Sequence, residues 1–308
     1  MRWRKLGQVY VAGGERVWAK SHAFVPTTIC LDDRSIRVYC AFRDADGIGR
    51  VGFVDVDAED PTRVIEVSEQ PVLDIGAPGC FDDNGVTPLS IVKFDDGTLR
   101  LYYAGWQLGV RVRYFLFTGL AESRDGGETF QRVSNVPVLD RSDGETSTRT
   151  GGAVLSAPGG GWRMWYAGGS DWIAGSGERP DLPAYALRYA ESRDGVTWPA
   201  SGTVCLAPGP GEHGFGRPAI LVDDDRLRMW YSRRLLDVGY RIGYAESHDG
   251  RAWTRMDDRA GIDVSDTGWD STMQAMAAIE QTPFGTYLFY NGNDYGATGF
   301  GVAVAEGL

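Results

Sequence analysis

The chain has 308 residues, of which 43% are hydrophobic and 24% charged, and its formal net charge is −11. This composition is typical of a globular protein with enough apolar material for a core. Non-specific binding to nucleic acid or to an anionic membrane needs a basic surface, so neither is an expected partner. No stretch resembles a signal peptide or a membrane span, and we expect a cytoplasmic location.

Four cysteines occur in the chain, and they lack the spacing of a metal site: Cys30, Cys40, Cys80 and Cys205. Cys30 and Cys40 could lie on neighbouring strands, which leaves a disulfide between them open. Free buried thiols are the more typical state in a cytosolic protein.

Five segments with an aromatic pair or near-pair recur along the chain: IRVYCAFRD, LRLYYAGW, WRMWYAGGS, LRMWYSRR and TYLFYNGND. Each follows an apolar segment and a polar turn, and each is followed by a variable loop and a further strand pattern. Aligning the copies on one tyrosine gives separations of 64, 63, 65 and 59 residues between Tyr39, Tyr103, Tyr166, Tyr231 and Tyr290. Repeated antiparallel units of four short strands predict an all-β, five-bladed β-propeller.

The repeat predicts one domain over residues 1–308, with blades at about 20–75, 80–140, 145–207, 212–265 and 268–308. The fifth unit stops after its third strand, and the N-terminal segment WRKLGQVYVAGG has the pattern of a lone fourth strand. We therefore predict that residues 2–12 complete the fifth blade. Such a closure removes an exposed sheet edge.

Three units contain the turn S-x-D-G followed by an aromatic residue, a pattern that resembles the Asp box of sialidases and other propellers. Asp125, Asp194 and Asp249 are expected to accept hydrogen bonds from turn amides, and the glycine after each to adopt a positive φ. A carbohydrate or calcium site is the functional alternative. Because the turn is repeated, we interpret it as scaffold on what we call the bottom face.

The opposite, top face is predicted to collect the beginnings of the first strands and the variable second-to-third strand connections, where function usually lies. Glycosidic cleavage needs one carboxylic acid to protonate the leaving oxygen and one carboxylate as base or nucleophile. Asp83 is the first candidate for the base or nucleophile and Glu212 for the acid. Glu145 is the second candidate for the acid, and Asp270 could take either role. A glutamate between apolar walls would have a raised pKa suited to proton donation, whereas the alternative for each residue is a loop carboxylate that satisfies turn amides.

Further polar and aromatic residues on the same segments are candidates for binding a substrate. Arginines suit a carboxylate or a phosphate, although ion pairing with nearby acids is the alternative, and aromatic faces stack on sugar rings. No cofactor is required, and a central metal ion stays open but unassigned because the histidines lack zinc-site spacing. The candidates are His22, Asp82, Asn84, Trp106, Arg149, Trp172, His213, Arg217, Arg233, Arg234, Asn291, Asn293, Asp294 and Tyr295.

The blade pattern over essentially the whole chain resembles the five-bladed propeller glycosidases of families 43, 32 and 68 and the family 130 phosphorylases. The segments DDNGVTP, AESRDG, RMWY, GRP and FYNGNDYGATGFG resemble those of uncharacterised family-43-like proteins of bacterial glycan clusters. The resemblance implies acidic catalytic residues on the innermost strands. The chain departs from it, because it has no NDP, RDP or EC motif. Its first inner strand, SHAFVPTTI, also carries no carboxylate where the family commonly has its base or nucleophile.

Three functions are compatible with these patterns, each with a carbohydrate or sugar derivative as the partner. The first is a glycoside hydrolase with an acid/base pair in the axial pocket. The second is a phosphorylase, transferase or lyase-like enzyme acting on an acidic or phosphorylated sugar, which the arginines and the missing motifs favour. The third is a non-catalytic sugar-binding propeller.

Overall fold

The computed structural model describes residues 1–175, 180–223 and 225–307. Residues 176–179, in the long connection predicted for the third unit, lie outside the described residues, as do 224 and 308. Strands dominate the chain, and the predicted all-β class is confirmed. Only two short helical segments occur in the described part, Asp257–Arg259 and Asn293–Gly296.

The strands form five sets of four, numbered in chain order after β1 (Arg2–Tyr10). The first set is β2 (Ser21–Asp32), β3 (Ser35–Arg43), β4 (Gly49–Asp57) and β5 (Val64–Val67). The second is β6 (Val86–Lys93), β7 (Leu99–Leu108), β8 (Tyr114–Ser123) and β9 (Gln131–Arg132). The third is β10 (Thr148–Ser156), β11 (Trp162–Ile173), β12 (Leu182–Ser192) and β13 (Thr203–Leu206). The fourth is β14 (Glu212–Val222), β15 (Leu227–Leu235), β16 (Arg241–Ser247) and β17 (Thr254–Arg255). The fifth is β18 (Ala275–Thr282), β19 (Gly285–Asn291) and β20 (Phe300–Glu306), with β1.

Antiparallel pairing holds each set together. The N-terminal strand β1 pairs with β20, from Arg2 opposite Glu306 to Tyr10 opposite Phe300, as predicted for the closing strand. The first and fifth sets are separate four-stranded sheets, whereas short parallel pairings of β8 with β10 and of β12 with β14 join the other three into one 12-stranded sheet. The first strand of each set contacts that of the next around a full cycle: β2, β6, β10, β14, β18 and again β2.

The core lies between neighbouring sets. Five clusters of buried apolar side chains each combine residues of two adjacent sets, as where Val38 of the first set packs with Phe289 of the fifth. Sheets packed face to face in this way bury one row of side chains from each partner. Burial of these clusters between neighbouring sets contributes hydrophobic stabilisation to the fold.

Buried aromatic residues of the second strands fasten each set to the next. The Tyr39 hydroxyl donates to the carbonyl of Gly127 at 3.1 Å, and the Tyr102 hydroxyl to that of Gly195 at 2.7 Å. Trp165 Nε1–H donates to the Gly250 carbonyl at 2.7 Å. Gly195 and Gly250 are the glycines of S-x-D-G turns in the following sets, and Gly127 comes directly after such a turn, so the turn regions also accept bonds from a neighbouring sheet.

The same contacts correct the alignment of the first repeat. Tyr39 is the equivalent of Tyr102, and the alignment of Tyr39 with Tyr103 is wrong by one residue. Cys40 therefore occupies the place that Tyr103 has in the second set. The pairing partners agree, because Cys40 lies opposite Gly52 and Tyr103 lies opposite Gly119. The first spacing is 63 residues rather than 64.

The S-x-D-G turns have the expected local geometry. Asp194 accepts hydrogen bonds from the amides of Val196 and Thr197, both at 2.8 Å, and Asp125 and Asp249 accept equivalent bonds. The glycine after each aspartate has a φ of 71° to 77°. Burial acts to raise the pKa of Asp125, but hydrogen bonds from Ser123 and Thr129 outweigh it and lower that pKa to about 2.

The four cysteines are free, and the disulfide left open between Cys30 and Cys40 is not formed. Cys30 instead lies with its Sγ 3.4 Å from Glu280 Oε1.

Candidate functional site

Three of the predicted site carboxylates have the same surroundings. Asp82, Glu145 and Asp270 each precede a first strand, are almost fully buried, and accept a hydrogen bond at 3.0 Å from a second-strand tyrosine. Each also pairs with a cation: Arg132 at 2.8 Å, Arg149 at 2.9 Å and Lys5 at 2.7 Å, respectively. We call these arrangements acid–tyrosine clamps.

The fourth set has a two-acid version of the clamp. The Tyr231 hydroxyl donates to Asp257 at 2.6 Å. Arg233 and Arg255 bridge Asp257 to Glu212, and Glu212 lies 2.7 Å from Arg233 Nε and 2.8 Å from Arg255 Nη1. The Gly209 amide adds a bond to Glu212 at 2.8 Å.

Glu212 is the first candidate for the proton donor, and the expectation that its pKa is raised is wrong. Burial acts to raise its pKa, but Arg255, the Gly209 amide and Arg233 outweigh burial and hold the pKa below its usual range. The pKa of Asp270 is lowered in the same way. Burial acts to raise this pKa, but the interactions with Lys5, Ser265 and Gln274 outweigh it. Both carboxylates are ionised at neutral pH and engaged by cations, a state suited to holding strands together rather than to donating a proton.

Asp83 differs from these residues. It makes no ion pair in the described part of the chain, and its carboxylate accepts one hydrogen bond, from the Gly79 amide at 2.8 Å. The backbone N–H of the adjacent Asn84 donates to the Trp106 carbonyl at 3.2 Å, which sets this segment beside the end of β7. Asp83 is thus the one predicted catalytic carboxylate that the described residues leave unpaired.

Aromatic rings from two sets meet on the connections of the top face. The rings of Trp106 and Tyr114 have centroids 5.1 Å apart, and those of Tyr114 and Trp172 lie 5.8 Å apart. Trp106 is oriented by a bond from its Nε1–H to Thr87 at 2.8 Å. The indole N–H of Trp172 is buried and has no partner among the described residues. The structure therefore brings the predicted residues Trp106 and Trp172 together through Tyr114, which the sequence did not single out.

A second group on this face surrounds Arg234. Its guanidinium carbon lies 4.6 Å from the Tyr185 ring centroid and 4.9 Å from that of Tyr240. Tyr240 in turn contacts the predicted Tyr295, with centroids 5.2 Å apart. Arg234 forms no salt bridge with any described residue, and its Nε is buried without a partner. Two aromatic faces thus hold a guanidinium that no carboxylate of the described chain neutralises.

Tyr240 connects this group to the inner strands. It packs with Phe24 and Met276 near the beginnings of β2 and β18. Burial raises its pKa, which Arg234 and Arg113 act to lower. The second-to-third strand connections of the top face therefore meet the beginnings of the first strands over the axis. In the sequence, only the variable loop LLDVGY pointed to Tyr240.

His22 lies at the beginning of β2 with its Nδ1 2.8 Å from Ser21 Oγ. Burial and the neighbouring Arg43 lower the pKa of His22 to about 4, while the predicted Asp294 acts in the opposite direction. Its imidazole is therefore neutral at pH 7. Its backbone φ is 66°, a left-handed conformation that is uncommon outside glycine.

Several other predicted binding residues are held by the scaffold. Asn291 bonds to backbone groups of Val25, Ala23 and Gly299, and Asn293 accepts from the amides of Thr272 and Met273. His213 Nδ1 lies 3.0 Å from the Pro183 carbonyl. Arg149 and Arg233 belong to the clamps, and Arg217 lies deeper on the axis. The side-chain hydrogen bonds and salt bridges of these residues go to other described residues and not to Arg234, Tyr185 or Tyr240.

No group of three or more His, Cys, Asp or Glu residues within 1–175, 180–223 and 225–307 is arranged to hold a metal ion. Over the same residues, no helix has the length and apolar character to cross a membrane.

A clear relative is the uncharacterized protein Rv1502 of Mycobacterium tuberculosis strain H37Rv, with 36% identity over 99% of this chain and 100% of that protein. The uncharacterized protein MT1551 of strain CDC 1551 matches to the same extent. The chain belongs to the same family as these two proteins. No family model matches the sequence.

Solved structures share the fold. A glycosyl hydrolase from Bacteroides ovatus superposes with a TM-score of 0.71 at 16% identity, covering 99% of this chain and 93% of its own. A protein from the GH130 family of mannoside phosphorylases gives a TM-score of 0.73 at 14% identity, with coverage of 99% and 93%. A thermostable family-43 glycoside hydrolase gives 0.67 at 14%, with coverage of 94% and 90%. The chain therefore has the fold of the propeller glycoside hydrolases, and the suspected resemblance is confirmed at the level of fold.

Proposed function

We propose that the chain is a carbohydrate-active enzyme built as one five-bladed propeller domain, with the five strand sets as its blades. The cycle of contacts among the five first strands and the pairing of β1 with β20 support this architecture. One fold hosts many functions, so the residues of the top face carry the proposal.

The proposed ligand is an acidic or phosphorylated sugar, and Arg234 carries this proposal. A guanidinium between two aromatic rings, with a buried Nε and no carboxylate partner in the described chain, fits a ligand carboxylate or phosphate. Arg43 and Arg113 near the same face also form no ion pair with a described residue, in a protein whose net charge is −11. The Trp106–Tyr114–Trp172 rings supply faces for the sugar ring.

For the chemistry we propose Asp83 and His22. Asp83 is the available carboxylate and can act as base or nucleophile, and His22 is a neutral imidazole at pH 7 that can hydrogen-bond to a substrate. A glycoside hydrolase with the pair Asp83 and Glu212 is less well supported, because two arginines hold Glu212 ionised. Asp270 and Glu145 are likewise engaged in clamps, which favours the phosphorylase, transferase or lyase-like alternative.

Ligand binding tests the proposal. Calorimetric titration with hexuronic acids, hexose phosphates and the matching neutral sugars should show binding of the anionic members only. Arg234→Met should weaken that binding about 10-fold or more, since a charged hydrogen bond contributes about 1.5–3 kcal/mol. Arg226→Met is the matched control, because Arg226 pairs with Asp225 and Glu246 away from this face. Equal affinity for neutral sugars, or an unchanged Arg234→Met variant, would contradict the proposal.

Turnover separates the reaction classes. Oligosaccharides that contain an acidic sugar are incubated with and without inorganic phosphate, and the products are identified by mass spectrometry. A sugar 1-phosphate indicates phosphorolysis, and a free reducing sugar indicates hydrolysis. Asp83→Asn and His22→Gln should each abolish turnover while the protein stays folded. Full activity in both variants would refute their assignment, and anionic-sugar binding without any product would favour the non-catalytic alternative.

A further inference from the structure

A cavity of about 120 Å³ lies on the axis of the molecule, away from the Arg234 group. It is lined by the middle and C-terminal parts of all five first strands, on the bottom-face side. Most of the residues that line it are apolar, with Leu89, Val154 and Ile279 among them. Of the described residues that line it, Arg217 is the only charged one.

The Arg217 guanidinium is buried at 8% exposure and has no carboxylate partner in the described chain. It donates to the carbonyls of Pro26 at 2.8 Å and Gly152 at 3.2 Å and to the Thr27 hydroxyl at 2.9 Å. Its Nε–H has no partner among the described atoms. Burial lowers the pKa of Arg217 to about 9. An uncompensated buried charge is costly, and a counter-ion would remove that cost.

Arg217 also departs from the repeat. Arg217 lies two residues before Ala219, and Ala219 pairs with Trp230, the buried aromatic residue of the second strand in this set. Counting back two residues from the partner of the corresponding buried aromatic residue gives Val25, Pro88, Gly151 and Met276 in the other sets. Four uncharged residues and one arginine therefore occupy equivalent positions. Arg217 adopts a φ of 44°, and its equivalents Val25 and Met276 have similar values of 55° and 58°, so the charge and not the backbone conformation departs from the repeat.

Ser90 supplies a second donor in the same cavity. Its oxygen accepts a bond from the Val154 amide at 3.1 Å, which leaves its hydroxyl proton free for a ligand. We propose that the axial cavity binds a small inorganic anion, of the size of chloride to phosphate, beside the Arg217 guanidinium and the Ser90 hydroxyl. The anion would neutralise Arg217 and tie together β2, β10 and β14, whose atoms already meet at this guanidinium.

Anion-dependent stability tests this site on the full chain. Urea unfolding is measured at constant ionic strength in sodium chloride, sodium phosphate and sodium gluconate, with gluconate as the organic reference anion. A 100-fold excess of anion over its dissociation constant should shift the folding equilibrium about 100-fold relative to gluconate, and the effect should saturate. Equal stability in all three salts would overturn the proposal.

Variants distinguish the axial site from the top face. Arg217→Met should abolish the saturable effect, and Ser90→Ala, which is less disruptive, should weaken the apparent anion affinity. Arg234→Met is the control, because it removes another unpaired arginine on the opposite face and should keep the chloride effect. If Arg217→Met does not fold, crystals soaked in bromide decide: an anomalous peak beside Arg217 supports the site, and its absence refutes it.

Discussion

Replacing Glu145 by glutamine tests whether the buried acids are structural. Glu145 is fully buried, and it accepts from Arg149, from the Tyr166 hydroxyl at 3.0 Å and from the Gly202 amide at 3.1 Å. Glutamine keeps the shape of the side chain but removes its charge. The Arg149 guanidinium, which is only 4% exposed, then loses its only carboxylate in the described chain.

The expected loss of stability is large. Removing one partner of a buried ion pair costs about 3–5 kcal/mol because the other charge stays buried. Arg188, 3.6 Å from Glu145 and more exposed, should add little. Since whole domains are stable by about 5–15 kcal/mol, the Glu145→Gln variant should lose a substantial part of its free energy of unfolding.

Urea unfolding at pH 7, followed by tryptophan fluorescence, measures this loss. Glu69→Gln is the control: Glu69 pairs with Arg16 but is 83% exposed, so its loss should cost no more than about 1 kcal/mol. Asp83→Asn should also leave stability nearly unchanged, because asparagine can still accept from the Gly79 amide. A Glu145→Gln variant as stable as the wild type would refute the structural interpretation of the clamps.

Three further predictions concern the turns and the contacts between sets. Tyr102→Phe removes the bond to the Gly195 carbonyl and should lower the free energy of unfolding by about 1 kcal/mol in urea titrations; no change would mean that this contact is energetically neutral. Gly250→Ala should destabilise by more than about 1 kcal/mol in the same assay, because φ is 77° and the new Cβ would lie 2.8 Å from the Trp165 ring, whereas Gly144→Ala, with open space and negative φ, should not. Acid should unfold the chain in part by protonating the S-x-D-G aspartates, whose pKa values are lowered in the folded state. Their contribution to the free energy of unfolding is present above about pH 4 and is lost as the pH falls towards about 2. Asp125→Asn should remove part of that pH dependence in circular dichroism titrations.

The repeated elements could be predicted from the sequence because each copy carries the same local pattern. An S-x-D-G turn is defined by residues that bond to one another over five positions, so its hydrogen bonds and the positive φ of Gly195 follow from the sequence. The pairing of β1 with β20 was predictable for a related reason, since one unit lacked a strand and the N-terminus supplied one.

The roles of the acids could not be predicted in this way. Asp82 meets its tyrosine 21 residues later and its arginine 50 residues later, and no local pattern records those contacts. The segments before the first strands look different in every unit, which made their acids resemble unique catalytic residues. Equivalent surroundings in different local sequences show that the acids are part of the repeat.

Adjacent residues on a strand could not be separated by sequence either. Arg233 and Arg234 were equal candidates, but neighbouring side chains on a strand point to opposite faces of the sheet. Arg233 therefore reaches Glu212, while Arg234 lies against Tyr185 and Tyr240. The register of β14 with β15, including a bulge between Gly216 and Ala219, determines which of the two arginines lies on the side of the proposed ligand.

The first set is the exception to the clamp, and the exception has a physical cause. Cys40 stands where the other sets have the clamp tyrosine, so no hydroxyl there requires a buried acid, and Trp18 covers the Gly52 that lies opposite. The beginning of β2 is therefore free of the ion pairs that occupy the other four. It carries His22, with a neutral imidazole and a left-handed backbone, beside Arg43. The acids of the other four sets are engaged in ion pairs, which is why we propose the chemistry at Asp83 and His22 rather than at Glu212 or Asp270.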